Sequence, residues 1–183
     1  MEGNCDMWNI VKVQHYVSPC GELLLGSYCG ELCLCDWCGD DDRRKRVDRR
    51  ILRACEATFV EAEDAVLTEA TRQLAEYFEG TRTAFDMPLL LVGTELQKRV
   101  WCEIAKIPYG VTLSYGELTK RIGATSSVRA VANACGANAM SIILPCHRVV
   151  GASGKLTGYA GGLSAKSWLL SHEQGERKLD LRI

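Results

Sequence analysis

The chain has 183 residues, 47% of them hydrophobic and 25% charged, with a net charge of −1 and ten cysteines. No apolar run approaches the ~20 residues of a membrane span, and the opening "MEGNCDMWNI" lacks the basic-then-apolar form of a secretion signal. Membrane and secreted roles are therefore set aside in favour of a cytoplasmic chain of one domain or two small ones, whose thiols stay free in a reducing compartment.

The first forty residues read as short strands: "VKVQHYV" and "ELCLCDW" alternate, and "ELLLGSY" is a compact apolar run between them. "GDDDRRKR" (39–46) reads as a solvated loop, with two helices after it. In the second helix Val66, Ala70, Leu74 and Phe78 recur at helical spacing, and Gly80 stands where a C-terminal cap belongs. "TRTAFDMPLLLVGT" reads as an extended crossing into a second domain, dividing the chain into residues 1–90 and 91–183.

From residue 94 the punctuation changes. Thr94 and Gln97 form a capping-box pattern ahead of an apolar stripe of Leu96, Val100, Trp101 and Ile104. Ser114 and Glu117 repeat the box, opening a short helix that carries Leu118 and Ile122 and closes at Gly123. After "ATSS" a further helix places Val128, Val131, Ala132 and Cys135 on one side, with Arg129 and Asn133 on another. Two short helices about a Gly-containing turn form a helix-turn-helix candidate.

Charge supports that reading. Residues 1–94 hold 10 Lys/Arg against 17 Asp/Glu, while residues 95–183 hold 12 against 6. No acidic residue lies between Glu117 and Glu173, a stretch with Lys120, Arg121, Arg129, Arg148, Lys155 and Lys166. A field this one-sided suits a polyanion, the alternative being a solvated basic face. The helix "VRAVANACGANA" offers few long side chains to read bases, which fits close approach to a minor groove better than sequence reading in the major groove.

"IILPCHRVV" (142–150) ends a buried-looking strand in Pro-Cys-His-Arg. Buried cysteine and histidine are commonly core residues. Here Pro145 must break the ladder and turn the chain, and Glu173, after the apolar "SWLLSHE", can return to orient the imidazole. Thiol, base and acid make up an activated nucleophile. Of the early cysteines, Cys5, Cys29, Cys33, Cys35 and Cys38, no second C-x-x-C completes a zinc pattern, so they read as buried thiols, with neither metal nor cofactor expected.

"ILPCHRVV", "GYAGG", "KSWLLSHE", "YGVTLSYGELTKRIG" and "VRAVANACGAN" together resemble the O6-alkylguanine-DNA alkyltransferases, in order over most of residues 68–174. The resemblance implies a small ribonuclease-H-like α/β domain followed by a mostly α domain with a winged helix-turn-helix. It implies irreversible, single-turnover transfer of a methyl or small alkyl group from O6-alkylguanine, and from O4-alkylthymine, in double-stranded DNA, by a monomer that flips the base. Cys146 would be the acceptor, with His147 drawing its proton through a water and Glu173 holding the imidazole. Asn138 would be the hinge, Tyr115 the donor to the leaving guanine, and Arg129 the finger that fills the stack. Ala130 and Arg148 would join the DNA contacts, and Val149, Tyr159 and Ala160 would line the base pocket. Ala160 and Thr157 replace a serine and a glycine of the human-type pattern, which removes one hydrogen bond to the lesion and narrows the pocket. A non-catalytic lesion binder would lack Cys146, and a sequence-specific regulator would need more base-reading side chains on the second helix.

Overall fold

The structure is a computed structural model that describes residues 9–39, 41–123 and 127–175. It opens on three antiparallel strands, β1 (Ile10–Ser18), β2 (Gly21–Tyr28) and β3 (Glu31–Trp37), with the ranges expected from alternation. Cys29 and Gly30, both at positive φ, form the two-residue turn between β2 and β3. Helix α1 (Asp42–Cys55) leads to β4 (Thr58–Glu61), which lies parallel to β1 and gives the order β3-β2-β1-β4. Helix α2 (Ala65–Phe78) follows.

The alternation of the strands sorts the core. Leu23 and Leu25 face α2 through Leu67, Leu74 and Tyr77. Val11, Val13 and Leu34 face α1 through Val47 and Ile51. Strand β3 is covered on both faces, so six of its seven residues are buried.

The charged run at 39–46 is not a loop. Asp41 caps α1 by accepting from the Arg44 amide at 2.7 Å, and the helix begins within the run. Val47, Ile51 and Cys55 recur every four residues, so the burial of that stripe overrides the cost of so much charge. The segment 81–94 is irregular apart from one bridge, in which Leu90 donates to Leu32 and Leu32 donates to Pro88, both at 2.9 Å. Cys29 is disulfide-bonded rather than a free thiol, and Cys5 lies outside the described residues. Cys33 and Cys35 are buried thiols as expected.

The second half comprises α3 (Glu95–Ala105), β5 (Leu113–Ser114), α4 (Tyr115–Ile122), α5 (Val128–Gly136), a single-turn 3-10 helix (Cys146–Arg148), β6 (Val149–Val150) and α6 (Gly162–Glu173). Both capping boxes form, at Thr94/Gln97 and Ser114/Glu117. Helices α4 and α5 pack on α3 through Val100, Ile104, Leu118, Ile122 and Val131, and β5 pairs in parallel with β6. Residues 124–126 of the intervening "ATSS" lie outside the described set. On α5 the buried residues are Val131, Ala134 and Cys135. Val128 is 50% exposed, because the expected stripe runs off the face that α3 covers.

The two halves are stapled at the edge of β3. Cys35 donates to Ala139 at 2.8 Å, Ser141 donates to Cys35 at 2.6 Å, and Ser141 Oγ donates to the buried Asp36 at 3.0 Å. Arg43 reaches across from α1, donating to Asp36, Gly136 O and Asn138 O. The strand edge thereby fixes the segment that leads to Cys146.

Candidate active site

Residues 142–145 form turns, not the strand that their apolar character suggests. Ile142 has φ +72°, and Asn138 takes the place of a neighbouring strand. Its carboxamide oxygen accepts from Met140 N at 2.9 Å while its nitrogen donates to Leu144 O at 2.9 Å and approaches Cys146 Sγ at 3.3 Å. Asn138 thus ties both ends of the turn, while Ile143 N donates to Ser141 O and Leu144 N to Met140 O within it. Pro145 then starts the 3-10 turn that carries Cys146, His147 and Arg148, all three buried.

Glu173, at the end of α6, is the hub. One carboxylate oxygen accepts from Tyr77 Oη at 2.7 Å, His147 Nε2 at 2.6 Å and an Arg148 terminal nitrogen at 3.0 Å. The other accepts from Arg148 Nε at 2.8 Å and Gly110 N at 3.0 Å. Burial by itself would raise the pKa of this carboxyl, but the hydrogen bonds from His147 and Arg148 and the Arg148 charge outweigh it and hold the group far below the ordinary carboxylate range. An ionised Glu173 can only accept, so His147 must carry its proton on Nε2. Its Nδ1 is then a lone pair, buried and without a hydrogen-bond partner among the described residues. Burial also lowers the His147 pKa against the pull of Glu173, which leaves the ring neutral and able to take a proton.

Burial pushes the Cys146 thiol up from its ordinary value, opposed by the Asn138 hydrogen bond and the nearby charges of Arg43 and Lys166. The site does not store a thiolate. It holds a neutral thiol beside an unprotonated imidazole, with cations placed to favour the anion as it forms.

Next to this lies a groove of about 780 Å³ whose walls include Tyr115, Arg129, Thr157, Tyr159 and Ala160. Tyr115, the first residue of α4, is close enough to Cys146 for the thiolate to raise its own pKa, although burial is the larger cause. Tyr159 packs edge-on against His147 and against Trp37 of β3, with ring centroids 6.3 and 5.8 Å away. Gly161 permits that approach, since a Cβ there would overlap the Trp37 indole. Lys166, fully buried on α6, donates to Val149 O at 2.6 Å and Thr157 O at 3.1 Å, and so ties the turn of the nucleophile to the groove wall.

Cys146, His147, Glu173 and Asn138 are thus brought together, and Tyr115, Arg129, Tyr159 and Ala160 share the adjoining groove. Val149 is fully buried and presents only its carbonyl, to Lys166. Ala130 is half-buried with its amide held by the Ser127 cap, while Val128, Ala132 and Asn133 line the groove instead. Arg148, expected among the DNA contacts, is buried in the protein. It is 6% exposed, with its donors spent on Glu173 and on Ile107 O at 2.6 Å. Nothing beside Arg148 in the sequence gave a sign of its buried partner.

Tyr77, Lys166, Trp37, Asp36 and Arg43 were missed by sequence reasoning, since four of them come from the first half, far in sequence from the motif. The signal present for Lys166 was its helical spacing of seven residues from Glu173. The nearest arrangement to a metal site among the described residues is His15, Glu22 and Cys38, whose ligand atoms lie within 4.8 Å of one another at the surface of the sheet. No helix among the described residues is long and apolar enough to cross a membrane.

Comparison with known proteins places this geometry. A family model described as 6-O-methylguanine DNA methyltransferase, ribonuclease-like domain, matches residues 11–91, and its DNA binding domain counterpart matches residues 95–175. The methylated-DNA–protein-cysteine methyltransferase of Mycolicibacterium paratuberculosis is 54% identical over 114 residues, 62% of this chain and 69% of its own length. That of Methanosarcina acetivorans is 53% identical over 105 residues, 57% and 67% of the respective chains. The crystal structure of Mycobacterium tuberculosis O6-methylguanine methyltransferase is similar with TM-score 0.76 and 40% identity, over 93% of this chain and 97% of that one. The structure of Mycobacterium tuberculosis OGT in complex with DNA is similar with TM-score 0.77 and 38% identity, over 94% and 97%.

Proposed function

This chain belongs to the 6-O-methylguanine DNA methyltransferase family, and from that premise we propose that Cys146 is the residue that takes the alkyl group. The protein is a direct-reversal DNA repair enzyme, a methylated-DNA–protein-cysteine S-methyltransferase whose partner is DNA. With the division at residues 90 and 91, the sheet-bearing half braces the site and the helical half meets the duplex.

One observation carries the assignment: His147 donates to an ionised Glu173 while its Nδ1 is buried with no partner among the described residues. In the reaction the Cys146 proton passes to Nδ1 through a water, and Sγ attacks the alkyl carbon in line. The S–C bond forms as the C–O bond breaks, and the electron pair goes to the guanine oxygen, which accepts a hydrogen bond from Tyr115 until the leaving guanine takes up the proton that His147 received from the thiol. Glu173 stabilises the imidazolium, and Arg43 and Lys166 favour the transient thiolate. The product is a thioether that water does not cleave, so each molecule acts once.

The target base is out of reach within the duplex and must be flipped, at a cost of a few kcal/mol. Arg129 is exposed on α5 at the mouth of the groove and is placed to fill the gap in the stack. Thr157 and Ala160 line the groove and suit methyl and other small alkyl groups, on O6 of guanine and on O4 of thymine. A cytoplasmic setting completes the reading. The test is recovery of guanine from a duplex containing O6-methylguanine: one lesion restored per protein molecule is expected, and none with Cys146→Ala. Repair that continues beyond one equivalent would overturn the assignment.

A further inference from the structure

Helix α1 carries seven basic residues and two acidic ones in fourteen, inside the half of the chain that is acidic as a whole. Arg43 and Arg44 are consumed by Asp36, Asp48 and backbone carbonyls, and Arg50 donates to Ala137 O at 2.8 Å and lies over the Trp101 ring. Arg46, Arg49 and Arg53 differ. All three are exposed and make no hydrogen bond or ion pair with the described residues. Positions 46, 49, 50 and 53 share one helix face, so Arg46 opposes Arg50 and Arg49 opposes Arg53 at i, i+4, an arrangement that weakens a helix. Among the described residues no carboxylate pairs with Arg46, Arg49 or Arg53 to offset that repulsion.

The stripe does not stand apart from the groove of Arg129. That groove shares Arg43, Ala132, Asn133 and Gly136 with a second one. The second shares Arg46, Arg50 and Gln97 with a third, which Arg49 and Arg53 also line. The three form one continuous track from Tyr115 to Arg53. Along it, α5 supplies no cation after Arg129, and the cations beyond that point come from α1.

We propose that this α1 stripe extends the DNA interface beyond the helix-turn-helix, with Arg46, Arg49 and Arg53 contacting phosphates of the same duplex that α5 engages. The proposal rests on the DNA-repair reading above and adds to it a second, sequence-independent contact surface from the first half of the chain. Charge complementarity and continuity with the α5 groove support it. The stripe spans about 10 Å of helix axis, the rise of about three base pairs, so it suits two or three phosphates. Such contacts position DNA and read no bases.

The experiment is duplex affinity of the full-length protein as a function of salt, for the parent, the triple variant Arg46→Ala/Arg49→Ala/Arg53→Ala and the triple Arg→Lys variant at the same positions. Alanine is the best helix former and removes the like-charge pairs, so α1 keeps its fold, and unchanged thermal unfolding checks this. The alanine variant should bind an unmodified duplex at least tenfold more weakly at low salt. Its dependence of log affinity on log salt should be shallower by roughly 2 to 3, at about 0.9 per phosphate lost. The lysine variant should keep the parental slope, because a phosphate is served by either cation. A parental slope in the alanine variant would overturn the proposal, as would equal losses in the alanine and lysine variants. The underlying reading is scored separately: failure of the parent protein to take up methyl from damaged DNA would refute that reading whatever the slopes.

Discussion

Glu173→Gln keeps the side-chain volume and removes the charge on which the site is organised. The carboxylate accepts five hydrogen bonds, from Tyr77, Gly110, His147 and twice from Arg148. A carboxamide can accept on one atom only, so its nitrogen must face donors, and Arg148 is left buried with its charge unmatched. Removing one partner of a buried pair costs about 3–5 kcal/mol. In a chain of this size that lowers the melting temperature by roughly 6–20 °C, at about 2–4 °C per kcal/mol. The Gln nitrogen would also donate to His147 Nε2 and so move the ring proton to Nδ1, which removes the acceptor for the thiol proton. Methyl transfer should then slow by about 10²–10⁴-fold, the usual worth of a positioned base. Because the folded Glu173 pKa is depressed, its stabilisation is complete above the ordinary value of 4.5 and is lost as pH falls below it. The melting difference between parent and variant should therefore narrow in acid. Tyr77→Phe is the graded comparison: it removes one donor but keeps the charge, and should cost about 1.5–3 kcal/mol with little change in rate. The assay pairs thermal unfolding with single-turnover transfer from methylated duplex. A Glu173→Gln protein that melts within a degree or two of the parent and transfers at the parental rate would refute the reasoning.

The remaining predictions concern the thiol and the flipped base. Since burial raises the Cys146 pKa and lowers that of His147, the neutral thiol and neutral imidazole are the resting pair across neutral pH, so the transfer rate at saturating DNA should fall in acid as His147 is protonated and hold level through neutral pH; a rate that climbs about tenfold per pH unit through neutral pH would indicate that the thiol ionises to solvent without the His147 relay. Arg129→Ala and Arg129→Lys should both slow repair of duplex roughly tenfold or more, because a compact ammonium cannot replace a planar plug in the stack. Reaction with the free base O6-methylguanine should hardly change, and a Lys variant that repairs duplex at the parental rate would make Arg129 an electrostatic contact.

Alternation marked β1 and β3, a compact apolar run marked β2, and the Thr94 and Ser114 boxes marked two helix starts, because those signals are local. The site was legible where its chemistry lies in the Pro-Cys-His-Arg motif or at helical spacing near Glu173. It was illegible where it depends on contacts across the fold. Nothing beside Arg148 in the sequence says that Glu173 will neutralise it, and nothing near Arg43 announces its bonds to Asn138 and Gly136. The charge run at 39–46 hid the start of α1 because charge density was weighed above the spacing of Val47, Ile51 and Cys55. The strand expected at 142–145 gives way to turns because Ile143 and Leu144 donate to Ser141 and Met140 just before them, and Asn138 takes the Leu144 carbonyl.

The central claim is that Cys146 alone receives the alkyl group, once. Intact mass and peptide mapping after incubation with excess duplex containing O6-methylguanine test it most directly. The account predicts one added methyl per chain, confined to the peptide carrying Cys146, with no further uptake from fresh DNA and none in Cys146→Ala. Methyl on any of the other cysteines, or lesion removal from an unmodified protein, would contradict it.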